Sequence, residues 1–219
     1  VNVIYIHGLD SAANSTKGRL LEDYFHKYHS DIKVLRPDLN KRPDQVFKQI
    51  ISLIEGLKSH NTTKDKQCEP SNTVLVGSSL GGYFSTLISN YTGCPALLLN
   101  PSIQPHITLQ RFAKDSTLLN NGKEEGLSNQ VIHSTAGGWD MTHADLKWFE
   151  EHQLSTVHYP NKVAVLIKDG DELLDANLST EFYRQHGCLV KLQSGGDHRF
   201  SDFAEQLPMV IETLRQLQQ

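Results

Sequence analysis

Short apolar runs recur along the chain, each bounded by turn residues: Val1–Ile6, Ile32–Leu35, Thr73–Val76, Ala96–Leu99, Lys162–Ile167 and Cys188–Leu192. Several are apolar throughout rather than alternating, the pattern of strands covered by helices on both faces. Between them the apolar positions fall at helical spacing. Leu20, Leu21, Tyr24, Phe25 and Tyr28 form one stripe, and Val46, Phe47, Ile50, Ile51 and Ile54 form another. Leu80–Tyr91, Leu173–Tyr183 and Phe203–Leu217 also read as helices. This β-then-α alternation predicts an α/β fold: a compact, doubly wound, mainly parallel sheet of about six strands. In such a sheet ligands bind beyond the C-terminal strand ends.

Two segments break the rhythm. Ser59–Asn72 is polar and rich in turn residues, and predicts a surface loop. Ile103–Tyr159 is too long for a simple crossover and contains Asn120-Asn121-Gly122 and Gly137-Gly138. It predicts an inserted cap at about 103–159, with helix over Asp145–His152. Nothing marks a second domain, so residues 1–219 are expected to form one.

Composition narrows the classes. A net charge of −4 with no long basic run argues against a nucleic-acid partner. The three cysteines, Cys68, Cys94 and Cys188, lack C-x-x-C spacing, so neither a disulfide framework nor a zinc site is expected. With no leader-like segment and no apolar run near the ~18 residues of a bilayer span, the expectation is a soluble, cytoplasmic protein without membrane insertion. Oligomeric state is not readable from the sequence.

The chemistry centres on Gly77-Ser78-Ser79-Leu80-Gly81-Gly82. Read as G-x-S-x-G, it puts Ser79 at the sharp turn between the strand Val74–Val76 and the helix from Leu80. Glycines Gly77 and Gly81 relieve the collisions such a turn creates, and the hydroxyl is held beside the positive end of a helix. The competing reading is a serine that merely caps that helix. A dinucleotide loop needs G-x-G-x-x-G, and a phosphate loop needs Gly-Lys-Ser/Thr; neither is present.

Attack by Ser79 on a carbonyl creates an oxyanion, which needs donors already aimed at it. His7-Gly8-Leu9 follows the first strand, and the N–H groups of Leu9 and Leu80 are the expected donors. Gly8 lets that backbone approach closely, and His7 reads as a residue that shapes the loop. The strand Lys162–Ile167 ends in Lys168-Asp169-Gly170-Asp171-Glu172. Asp171 is the expected triad acid, with Asp169 and Asp175 as rivals, and it is also placed to cap the next helix. The last strand leads into Gly195-Gly196-Asp197-His198. Among eleven histidines, His198 alone lies between the last strand and last helix, where a base can reach Ser79. No H-E-x-x-H occurs, and Glu150-Glu151-His152 lacks partners, so no metal or other cofactor is expected.

Tyr5-Ile6-His7-Gly8, Gly77-Ser78-Ser79-Leu80-Gly81-Gly82-Tyr83, Asn100-Pro101, Gly170–Asp175 and Gly195–His198 together resemble the α/β-hydrolase superfamily, and within it the small YqiA/YcfP-like bacterial esterase group. The resemblance covers nearly the whole chain. It implies an α/β-hydrolase fold and hydrolysis of carboxylic esters or thioesters at the Ser79, Asp171 and His198 positions.

The expected reaction is acyl transfer through an acyl-enzyme to water, on a small-molecule ester or thioester. Trp139, Trp148, Phe112 and Phe149 offer apolar surface for an acyl chain, or else fasten the cap to the sheet. An acyltransferase would use the same triad, and product analysis with added acceptors separates the two. A non-catalytic binding module on the same scaffold is the remaining alternative. Asn100 and Arg36 lie near C-terminal strand ends without an assigned role.

Overall fold

The computed structural model describes residues 1–59, 72–117 and 127–218. Asn120-Asn121-Gly122, Cys68 and all but the ends of the Ser59–Asn72 stretch lie outside them. The central sheet has strands β1 (Asn2–Ile6), β2 (Lys33–Leu35), β3 (Thr73–Ser78), β4 (Ala96–Leu99), β7 (Val163–Lys168) and β8 (Leu189–Gln193). Their order is β2-β1-β3-β4-β7-β8, and every neighbouring pair is parallel. The expected sheet is therefore present, with strand ends displaced by one or two residues.

The two faces of the sheet explain the apolar runs. In β1, Val3 and Tyr5 pack with one cluster while Ile4 and Ile6 pack with the other, and all four are buried. On the first face α1 (Thr16–Tyr28) contributes Leu21 and Phe25, and α8 (Phe203–Gln216) contributes Val210, Ile211 and Leu214. On the second, α2 (Pro43–Ser59) contributes Val46, Ile50 and Ile54. There α3 (Leu80–Thr92) adds Tyr83, Phe84 and Ile88, and α7 (Ala176–Gln185) adds Tyr183. A strand sandwiched this way has no polar face to alternate with. Each fully buried Leu, Ile or Phe is worth roughly 1.5–3 kcal/mol relative to exposure.

Between β4 and β7 run α4 (Pro105–Thr108), α5 (Gln110–Thr117), an antiparallel hairpin of β5 (Val131–Ser134) and β6 (Asp140–Thr142), and α6 (His143–Glu151). The expected helix over Asp145–His152 is α6, started two residues earlier by a capping box in which Thr142 and Asp145 bond reciprocally. Gly137-Gly138 is the hairpin turn. The aromatic residues of this segment fasten it. Phe149 and Trp139 join the core, Trp148 stacks on His152 at 3.9 Å, and Phe112 stacks on His133 at 4.0 Å. Among the described residues, no helix is long and apolar enough to cross a membrane.

Candidate active site

The winding switches sides at β1, with β2 added on one flank and β3 on the other, so the loops after the parallel neighbours β1 and β3 open side by side. Gly8 and Leu9 follow β1, Ser79 follows β3, Asn100 follows β4, Asp171 follows β7 and His198 follows β8. All five loops leave the same C-terminal edge of the sheet.

Ser79 has φ 57° and ψ −120°, a left-handed backbone that costs a non-glycine residue about 1–3 kcal/mol. Surrounding bonds hold it there. Its N–H donates to the Leu99 carbonyl at 3.0 Å, and its carbonyl accepts from the N–H groups of Gly82 (2.8 Å) and Ser102 (3.0 Å). A Cβ on Gly77 would collide with Ser85 Oγ and the Gly81 carbonyl, and one on Gly81 with the Ile6 carbonyl. These two positions therefore admit only glycine at this spacing. At Gly8 a Cβ would stand 3.1 Å from both the Ser78 carbonyl oxygen and Ser79 Cβ. Ser79 occupies the N-cap position of α3, yet its side chain makes no capping bond. Its Oγ lies instead 2.9 Å from His198 Nε2.

His198 Nδ1 is 2.9 and 2.8 Å from the two carboxylate oxygens of Asp171. A carboxylate only accepts, so Nδ1 carries the proton and Nε2 is free to accept from the serine hydroxyl. The Asp171 side chain is 2% exposed, and its Oδ1 also accepts from the N–H groups of Leu173 and Leu174, both at 2.9 Å. These bonds form a local turn, and α7 begins later than expected, at Ala176 rather than Leu173. The helix is capped by Asp175, whose Oδ1 accepts from Asn177 (2.9 Å) and Leu178 (3.0 Å). Asp169 accepts from the Gly195 N–H and so ties the acid loop to the histidine loop. The three aspartates thus have three separate jobs.

Three residues that support this arrangement have no strong signal in the sequence. Glu172 Oε2 accepts from the His198 N–H at 2.9 Å. Asn100, 2% exposed, donates through Nδ2 to the carbonyls of Asp197 (3.0 Å) and His198 (3.2 Å) and accepts from the Lys168 N–H (2.8 Å). Lys168, 3% exposed, pairs with Asp202 at 2.5 Å at the start of α8. Adjacency of Glu172 to Asp171, and of Asn100 to the end of a strand, were the available hints. Arg36 is not in the site: it bonds Glu22 and the Ala13 carbonyl, bracing the segment before α1.

His7 is buried, with Nδ1 2.9 Å from the Gly8 carbonyl and Nε2 3.0 Å from the Leu39 N–H. The ring therefore donates through Nδ1 and accepts at Nε2, and burial holds its pKa below the ordinary value despite Asp38 at 3.6 Å. It shapes the loop, as the sequence implied. The N–H groups of Leu9 and Leu80 have no acceptor among the described residues.

Ser79 and His198 open into a cavity of about 660 Å³. Its aromatic wall comes from Tyr5, Phe200 and Phe203, and the β4–β7 segment contributes Arg111. A cleft at the C-terminal edge of a parallel sheet, with the serine on a strained strand-to-helix turn, defines the α/β-hydrolase fold. The chain matches the Uncharacterised protein family (UPF0227) over residues 2–215 and belongs to it. A UPF0227 protein of Vibrio cholerae is 27% identical over 111 residues, 49% of this chain and 55% of that one. The chain thus spans about half the length of the curated relatives it matches. Among solved structures, Est1E from Butyrivibrio proteoclasticus with ferulic acid bound is similar with a TM-score of 0.70 and 14% identity, covering 100% of this chain and 90% of that one. Mouse alpha/beta hydrolase domain-containing protein 10 gives 0.64 and 19%, covering 97% and 88%. The esterase domain of a Rhodothermus marinus protein gives 0.63 and 16%, covering 98% and 86%. At these identities the likeness is one of fold, and the α/β-hydrolase resemblance read from the sequence is met.

Proposed function

We propose that this protein is a serine hydrolase of carboxylic esters or thioesters, with Ser79 as nucleophile, His198 as general base and Asp171 as the acid that orients it. The single observation that supports this most is the unbroken chain Ser79 Oγ–His198 Nε2 and His198 Nδ1–Asp171, at 2.9 Å and 2.8–2.9 Å. A serine that only capped α3 would not give up its capping bond to face an imidazole.

In the first step Ser79 Oγ forms a bond to the acyl carbon while His198 Nε2 takes its proton. The carbonyl oxygen becomes an oxyanion, held by the N–H groups of Leu9 and Leu80. Asp171 stabilises the imidazolium. The carbonyl re-forms, the bond to the leaving oxygen or sulfur breaks, and the leaving group takes the proton from Nε2. Water then repeats the sequence: it gives a proton to Nε2, attacks the acyl-enzyme, and releases the acid as Ser79 regains its proton. No cofactor enters this scheme, and from the segment expected as a cap Arg111 reaches the cavity wall.

The test is steady-state hydrolysis of short 4-nitrophenyl esters and acyl thioesters by wild type, Ser79→Ala, His198→Ala and the double variant. Each single change should lower kcat by about 10⁴-fold or more, and the double change should cost little beyond that. Additive losses, or full activity in Ser79→Ala, would remove the proposal.

A further inference from the structure

The cavity beside Ser79 is cationic. Lys17 at the start of α1, Arg199 next to the base, and Arg111 of α5 all line it, and among the described residues Asp10 is the only carboxylate doing so. Asp10 is already engaged, 3.0 Å from His133 and accepting from the Ala136 N–H. Ser11, Ser15, Thr16 and Ser201 add hydroxyls to the same wall. Among the described residues, no carboxylate lies within ion-pair distance of Lys17, Arg111 or Arg199. Lys17 donates one bond, to the Arg199 carbonyl at 2.5 Å. Asp197 raises the Lys17 pKa through space, but its carboxylate is committed to the Ser201 N–H at 3.0 Å. Burial dominates and pulls the Lys17 pKa down to about 8. A partly buried ammonium with no carboxylate at ion-pair distance costs stability, and a ligand that brings a negative charge to it offsets that cost.

We infer that the substrate carries an oxyanion group, carboxylate or phosphate, and that Lys17 and Arg199 bind it with Arg111 completing the cationic wall. The inference rests on the hydrolase reading and specifies its substrate class. It runs against the apolar ester that the cap aromatics invited, because those aromatics are spent on fastening the segment between β4 and β7. The anion belongs either to the acyl portion or to the leaving group, and both present the same chemistry to the three cations.

The experiment compares charged and neutral ester pairs in wild type, Lys17→Met, Lys17→Arg, Arg199→Gln and Arg111→Gln. For the acyl arm the pair is the 4-nitrophenyl monoester of glutarate and its methyl-capped counterpart. For the leaving-group arm it is 4-acetoxybenzoate and its methyl ester. The readout is the charged-to-neutral ratio of kcat/KM in each variant against wild type, which cancels the intrinsic reactivity of the esters. In one arm the ratio should fall tenfold or more in Lys17→Met and Arg199→Gln, and recover in Lys17→Arg. The arm that responds identifies which part of the substrate bears the charge. Ratios unchanged in both arms, with turnover present, overturn the inference and leave the hydrolase reading standing. If no ester turns over, the hydrolase reading fails, and the anion site is read by calorimetry of monomethyl glutarate and phenyl phosphate binding to Ser79→Ala. Binding lost on adding Lys17→Met supports the site; no binding overturns it.

Discussion

Both carboxylate oxygens of Asp171 lie within 2.9 Å of His198 Nδ1, while Oδ1 also accepts two backbone N–H groups of its own turn. The Asp171 carboxylate is therefore held by its own turn, and the His198 imidazole is held through it. Asp171→Asn should keep the fold, since an amide oxygen still accepts from Leu173 and Leu174. Its amide N–H group, turned to His198 Nδ1, would favour the tautomer whose Nε2 already carries a proton and cannot take one from Ser79. The expected loss is about 10⁴-fold in kcat at neutral pH, measured on a 4-nitrophenyl ester, with the thermal transition changed little. Wild-type activity in this variant would exclude Asp171 as the orienting acid.

Asp175 offers the contrasting case. It caps α7 and, among the described residues, makes no hydrogen bond or ion pair with His198 or Ser79. Asp175→Ala should cost about 1 kcal/mol of stability and leave kcat within about twofold. Denaturant unfolding together with esterase kinetics separates the two effects. A large kinetic loss with unchanged stability would reverse the assignment of the two aspartates.

The elbow makes a steric prediction. A methyl group at Gly81 meets the carbonyl oxygen of Ile6 in β1, which is held in the sheet and cannot move aside. Gly81→Ala should destabilise the protein by about 3 kcal/mol or more. Gly56→Ala is the control, because among the described residues nothing lies within 4 Å of its Cβ position. Located within α2, it should be neutral or stabilising. Equal thermal transitions for the two variants would contradict the close approach.

His7 predicts an acid-side limit. Burial lowers its pKa, and its Nε2 must stay unprotonated to accept from Leu39. A depressed basic group contributes stability that is complete above its ordinary value of 6.5 and is lost as pH falls through the lower folded value. His7→Gln should lose about 1–3 kcal/mol at pH 7 and show a flatter decline of stability below pH 6.5. Thermal unfolding from pH 4.5 to 8 measures both. The same slope in wild type and variant would mean that the ring is already protonated.

The parallel sheet was legible because its strands are buried on both faces, so runs such as Thr73–Val76 and Ala96–Leu99 carry no polar alternation. That Ser79, Asp171 and His198 come together was legible because each lies in the loop that follows a parallel strand, at the same edge of the sheet. The hairpin β5–β6 was not. Its strands are short, and Val131–Ser134 has no fully buried residue to set a period. Residue pairs distant in sequence were also hidden. Nothing local in His133 points to Asp10, 123 positions away, or in Lys17 to the Arg199 carbonyl, 182 positions away. The charge of the cavity is such a property, since Lys17, Arg111 and Arg199 come from three elements that only the fold brings together.

The central claim is that Ser79 is an activated nucleophile. A small fluorophosphonate, followed by mass spectrometry of the modified peptide, tests it most directly. One equivalent of label on Ser79, absent in Ser79→Ala and slowed by about 10³-fold or more in His198→Ala, is the predicted result. Label on another residue, or none in a folded protein, would contradict it.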